Sequence, residues 1–279
     1  MGVFRPQTAS SMSIVIITIP DPVKQEFVRI LQDQTGAVSL VVIQSRPPKA
    51  WYRTLADTLN PTHIYYSLLL RLRPAVRTAL AWFRAIPSDP SLQDNWYAPV
   101  VWTDDINDPS IKARIAAAAP DVLAIWGSGL IDDEIIQTAD HTLNLHLGVA
   151  PHYRGALANQ FAVGRGDAER IGYTIHYVNE RADAGDIIAA RAITPQSDPR
   201  TTFQTINQKA RTHYIEIIAR LCSGKPIERR QQSPATTGHV SKMRDWTPRR
   251  RYQLGQRLLW WRRRGCFIRD PLPSFQDNQ

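Results

Sequence analysis

The segment 13–44 constrains the fold more than any other. SIVIITI (13–19) is a short apolar run rich in β-branched residues, and AVSLVVIQ (37–44) is a second one. Between them PVKQEFVRILQDQTG (22–36) carries apolar residues at helical spacing and stops at a glycine. Apolar runs this short suit strands buried on both faces, and a helix joining two of them makes a β-α-β crossover. Parallel strands need helices over both sides of their sheet, so a doubly wound α/β domain is expected. The first turn, TIPDP (18–22), holds no Gly-x-Gly-x-x-Gly. The dinucleotide fingerprint is therefore missing, which argues against an oxidoreductase.

The pattern breaks at 46–96, a stretch rich in Arg, Trp, Tyr and Pro with helices expected near 62–73 and 75–84, read as an insertion or lid. Alternation then resumes. APVVWT (98–103) and DVLAIW (121–126) read as strands, separated by a helix over 108–119 that Asp108 caps. A short helix over 131–139, strands at 171–178 and 187–193 and an amphipathic helix over 203–222 complete the pattern. Residues 1–11 read as a loose lead-in, 12–195 as the main domain, and 196–279 as a helix followed by an Arg- and Trp-rich tail. No apolar run is long enough to span a membrane, and the start lacks the form of a signal peptide. Cys222 and Cys266 form neither a metal-ligand spacing nor a disulfide framework, which fits a reducing cytoplasm. The net charge of +9 is local: between Arg244 and Arg264 eight arginines face a single Asp245.

Within TLNLHLGVAPHYRG (142–155), Thr142, Asn144 and His146 alternate with leucines, so an amide and an imidazole share one strand face. They sit near the carboxyl end of their strand, where open α/β sheets bind ligands. Two further stretches flank this one: a glycine-containing turn after a buried strand, PDVLAIWGSGLI (120–131), and IGYTIHYVNERADAGDII (171–188), which ends in an acidic loop.

The three stretches, in this order and spacing, resemble the catalytic domain of the folate-dependent formyltransferases, the family of glycinamide ribonucleotide, methionyl-tRNA and sugar-amine formyltransferases. The shared features are an Asn-x-His strand, a Pro-x-Tyr-Arg-Gly segment and a Thr-Ile-His strand leading to an Asp-x-Gly loop; they cover about 97–195 strongly. The resemblance implies a Rossmann-like formyltransferase fold, 10-formyltetrahydrofolate as donor, no metal, and Asn144, His146 and Asp183 as catalytic residues. It places Trp126, Gly127, Ser128, Gly129 and Leu130 on one wall of the folate pocket, and Asn179 and Gly185 on the other. Gly148, Tyr153 and Arg154 fall beside the acceptor; Arg154 would either hold an anionic part of it or brace the loop. His176 reads as structural. Where many members carry Ser-Leu-Leu-Pro after the histidine, this chain has Gly148-Val149-Ala150-Pro151.

The implied acceptor is the primary amine of a small molecule, with an amino-sugar nucleotide as first choice. Methionyl-tRNA formylation and formyltetrahydrofolate hydrolysis are alternatives within the same chemistry. RDWTPRRRYQLGQRLLWWRRRG (244–265) reads as a basic helix. Either its Trp and Leu side docks on the domain with the arginines solvated, or it binds an anionic ligand, a lipid surface or RNA. Binding of that kind without catalysis is the reading from another class.

Overall fold

The computed structural model describes residues 12–45, 59–84, 95–232 and 238–267; the lead-in 1–11 and the insertion's 46–58 and 85–94 lie outside them. β1 (Ile14–Thr18), α1 (Pro22–Thr35) and β2 (Val38–Gln44) form the expected crossover. The Asp21 carboxylate accepts from the Val23 N–H, Pro22 takes the first turn, where its missing donor costs nothing, and Gly36 ends α1 at φ 63°. β1 is paired in parallel with β2 on one side and with β4 (Val122–Trp126) on the other. β3 (Val100–Thr103) extends the sheet beyond β2, and β5 (His141–His146) extends it beyond β4, both in parallel. β7 (Gly172–Tyr177) and β8 (Ile187–Ala192) then add antiparallel, giving seven strands in the order β3-β2-β1-β4-β5-β7-β8.

Successive residues of β1 enter different cores, as burial on two faces requires. Ile14 and Ile16 join Phe27 and Val28 of α1, while Val15 and Ile17 join Ile111 and Ile115 of α4 (Pro109–Ala117). On the first face lies α7 (Pro199–Cys222), whose Tyr214 hydroxyl accepts from the Ile125 N–H at 3.0 Å and donates to the Leu143 carbonyl at 2.9 Å. The helix expected over 131–139 is a single turn, α5 (Asp133–Ile136).

The described part of the insertion is α2 (Pro61–Leu72), α3 (Pro74–Leu80) and a 3-10 turn, Ala81–Arg84. It packs on the C-terminal helix α8 (Pro248–Arg264), closely enough that a Cβ on Gly255 would collide with Val76. Leu254, Leu258 and Trp261 of α8 are wholly buried, and the Trp261 indole donates to the Gln196 carbonyl at 2.7 Å. α8 is thus docked by its Leu and Trp side. Two strands escaped the sequence reading: β6 (Tyr153–Gly155), just before α6 (Ala158–Arg165), and β9 (His239–Ser241) pair in parallel. Three-residue strands carry too little periodicity to be read from sequence.

Candidate active site

β5 places Leu143 and Leu145 in the core beneath α7 and turns Thr142, Asn144 and His146 to the opposite face. Thr142 is used structurally, donating to the Ile136 carbonyl at 2.8 Å. The antiparallel β7 sets His176 across from Asn144 and Thr174 across from His146. The connection from β7 to β8 then returns Asp183 to the same spot, with its backbone in the left-handed region at φ 50°, a conformation that Asp adopts more readily than most residues.

The Asp183 carboxylate is the centre of the cluster. Its Oδ1 lies 3.0 Å from Asn144 Nδ2 and 3.2 Å from His176 Nε2. Its Oδ2 lies 2.7 Å from the Gly155 N–H and 3.2 Å from His146 Nδ1. Burial by itself would raise the carboxyl pKa, but His146, His176 and the Gly155 N–H outweigh it and hold Asp183 well below the usual carboxylate range. Asp183 is therefore a fixed anion. His146 Nε2 meets the Tyr153 carbonyl at 2.9 Å, so both ring nitrogens face acceptors. His176 Nδ1 donates to the Tyr177 carbonyl at 2.7 Å.

The structure thus brings Asn144, His146 and Asp183 together and adds His176, which the sequence reading left as structural. Its signal was the face it shares with Thr174, which becomes informative only once the partner strand is known. Gln232 had no sequence signal. It lies in the segment before β9 and donates from Nε2 to the Asp183 carbonyl at 3.0 Å and the Gly185 carbonyl at 2.7 Å. Together with the β6–β9 pairing, the C-terminal segment braces both loops that grip the carboxylate.

The remaining candidates divide. Gly127 has φ 98°, Gly129 donates to Gln44 Oε1 at 2.9 Å, and the Leu130 carbonyl accepts from Asn107 at 3.1 Å. This turn is pinned at the carboxyl edge of β4 with the Leu130 side chain exposed, as a pocket wall would require. Trp126 contributes no ring surface to it: the indole is buried, packed on Phe27 and covered by Lys24 Nζ at 2.9 Å from the ring centre. Burial drives the Lys24 pKa well below the ordinary lysine value, with Asp21 opposing that shift and Arg211 adding to it. Asn179 is exposed and accepts from the Arg181 N–H, while Gly185 is buried where a Cβ would strike the Tyr177 carbonyl.

Expectations at the acceptor side need correction. The Tyr153 side chain turns into the core and its hydroxyl donates to Asp167 at 3.2 Å; only its carbonyl reaches the cluster. Gly148 lines no open surface either. It is buried, and a Cβ there would overlap His146 Nε2 and the Ala158 Cβ, so the glycine is what lets the histidine ring lie down on this loop. Arg154 is half-buried, and its Nε has no hydrogen-bond partner among the described residues.

A sheet of this order, with a histidine–carboxylate–amide cluster at its carboxyl edge, defines a doubly wound α/β protein with a candidate site where such sheets bind ligands. The chain belongs to the formyl transferase family, whose model matches residues 13–221. A methionyl-tRNA formyltransferase from Limosilactobacillus fermentum is 34% identical over 129 residues, which cover 45% of this chain and 40% of that protein. The chain thus aligns with about two-fifths of that curated relative's length. The fold is shared with a glycinamide ribonucleotide transformylase from Symbiobacterium toebii, at TM-score 0.53 and 16% identity over 81% of this chain and 96% of that one. It is shared equally with a sugar 3N-formyltransferase solved in the presence of dTDP and 5-N-formyl-THF, at TM-score 0.54 and 12% identity over 88% of this chain and 78% of that one. Among the described residues there is no metal-binding group of three or more His, Cys, Asp or Glu, and no helix long and apolar enough to cross a membrane.

Proposed function

We propose that the chain moves a formyl group from 10-formyltetrahydrofolate to the primary amine of a small cytoplasmic acceptor, with an amino-sugar nucleotide as first choice. The observation that carries this reading is the Asp183 carboxylate held by Asn144, His146, His176 and the Gly155 N–H at the carboxyl edge of the sheet. The donor follows from the family, and a sugar 3N-formyltransferase of the same fold, solved in the presence of dTDP and 5-N-formyl-THF, supports the acceptor class.

The amine lone pair attacks the formyl carbon and the carbonyl electrons move to oxygen. The oxyanion is stabilised by N–H donors from Asn144 and His146, a contribution of about 3–4 kcal/mol per donor. Collapse breaks the bond to N10 of the folate, and the proton shed by the attacking amine is relayed to N10 so that tetrahydrofolate leaves neutral, with Asp183 holding the His146 ring in place. In the ligand-free geometry the His146 Nε2–H is given to the Tyr153 carbonyl and the Asn144 amide N–H to Asp183. The formyl oxygen must therefore compete with a weak internal acceptor, Tyr153, for the histidine donor. The turn 127–130 and the loop 179–186 form the folate walls, and Arg154 faces the acceptor.

Transfer to methionyl-tRNA is the second reading, favoured by the Limosilactobacillus relative. Purified protein with 10-formyltetrahydrofolate and a panel of amines, including amino-sugar nucleotides, ornithine derivatives and methionyl-tRNA, separates the two by the mass of one formyl group added. Formylated sugar amine, lost in His146→Ala, supports the first reading. Formylated methionyl-tRNA alone replaces it with the second, and free formate without any amine product leaves a hydrolase.

A further inference from the structure

The layer built from α2, α3 and α8 is chemically unlike the rest of the molecule. Neither 59–84 nor 248–264 contains a single Asp or Glu, while both are rich in arginine. Arg71, Arg73, Arg77, Arg251 and Arg263 of this layer are exposed. α2 is apolar on two opposite sides. Its buried side carries Leu70, packed with Tyr66 and Leu69 around Tyr252 of α8. Its other side carries Ile64, Tyr65, Leu68 and Leu72, all at least half exposed, at 52%, 57%, 51% and 66%. The spacing i, i+1, i+4, i+8 puts these four on one continuous stripe, pointing away from α8. A helix apolar all round belongs in a core, yet half of this one faces outward.

We propose that this face docks the protein on an anionic membrane surface, with the Ile64–Leu72 stripe at the headgroup boundary and Arg71, Arg73 and Arg77, at its end and in the helix that follows, on lipid phosphates. An apolar stripe bordered by cations, on helices too polar or too short to span, is the form of an interfacial binder rather than a transmembrane one. The absence of carboxylates removes the groups that would repel a negative surface. The same absence disfavours a second copy, because a two-fold contact would press one carboxylate-free arginine layer against another. RNA is the weaker match: single strands call for stacking aromatics, and of the four stripe residues only Tyr65 is aromatic.

The test uses the full chain and sedimentation with vesicles of phosphatidylcholine alone or mixed with phosphatidylglycerol. Binding is expected only to the mixed vesicles and falls steeply with added salt. Arg71→Glu with Arg73→Glu and Arg77→Glu should lower the partition coefficient about a hundredfold or more. Leu68→Asp with Leu72→Asp should abolish binding while thermal stability stays native, since both sites are exposed. Soluble glycerol phosphate at matched phosphate concentration should not displace the protein. The proposal is overturned by equal sedimentation with both vesicle types, by no binding to either, or by binding that survives the leucine changes. It is also overturned if Leu68→Asp instead dissolves a dimer seen in light scattering, or if single-stranded RNA binds more tightly than the mixed vesicles and needs the same residues.

Discussion

Replacing Asp183 by Asn removes one acceptor oxygen and the charge, and keeps the shape. Four nitrogens converge on the carboxylate: those of Asn144 and His176 on Oδ1, those of Gly155 and His146 on Oδ2. An amide can offer one oxygen to two of them and must turn its own N–H₂ toward the other two. The loss is two charge-assisted hydrogen bonds in a site whose side chain is 12% exposed. That amounts to roughly 2–4 kcal/mol at neutral pH, or about 3–7 °C in Tm for a chain of this length. Formyl transfer should fall by about 10²–10⁴ in kcat/KM, because the imidazole loses its fixed counter-charge. The pH dependence has a definite sign. Asp183 is held below its unfolded value, so its contribution is complete above about pH 4 and lost as pH falls toward the folded pKa. Urea melts of the two proteins from pH 7 down to pH 3 should therefore show a gap that is constant at the upper end and narrows as pH falls below about 4. A gap that stays constant all the way to pH 3, or transfer within about twofold of native, would refute the carboxylate-centred account.

Gln232→Ala leaves the Asp183 and Gly185 carbonyls without their side-chain donor; kcat should drop about tenfold with acceptor KM nearly unchanged, as for a residue that positions the loop and touches no substrate. An equal rise in KM would argue for direct substrate contact. Gly148→Ser pushes a Cβ into His146 and Ala158, and a urea midpoint should register about 1–3 kcal/mol of overpacking. Native stability there would mean that α6 yields freely. Lys24 is buried with a lowered pKa, so the folded state binds its proton less well than the unfolded state does. Lys24→Met should accordingly raise Tm at pH 7, with the gain shrinking toward pH 10 as the unfolded lysine also loses its proton. A loss of stability at pH 7 would show that the contact with Trp126 outweighs desolvation.

Much of the architecture was legible in local chemistry. Short apolar runs between amphipathic helices specify a two-sided sheet, and Asp108 and Gly36 mark helix ends where the chain obeys them. The alternation in 142–147 was enough to put Asn144 and His146 on a common face, because side-chain direction in a strand has a period of two whatever the strand pairs with. One reading of its composition had α8 docked by its Leu and Trp side, and Leu254, Leu258 and Trp261 are buried accordingly.

The Asp183 cluster itself depends on distance in space between parts remote in sequence. His176 entered through the β5–β7 register, and Gln232 arrived from beyond the segment that the family model matches. Tyr153 and Gly148 illustrate the reverse. Their position in the motif suggested contact with substrate, while packing turned one side chain inward and left no room for the other to exist. The sequence by itself determined which residue types line each strand face and where the strands end. Only the tertiary structure decided which loops meet over Asp183 and which apolar side of α2 stays open. Periodicity and capping are interactions within a few residues, whereas a carboxylate surrounded by four nitrogens and a helix with one uncovered face depend on neighbours the chain supplies from far away.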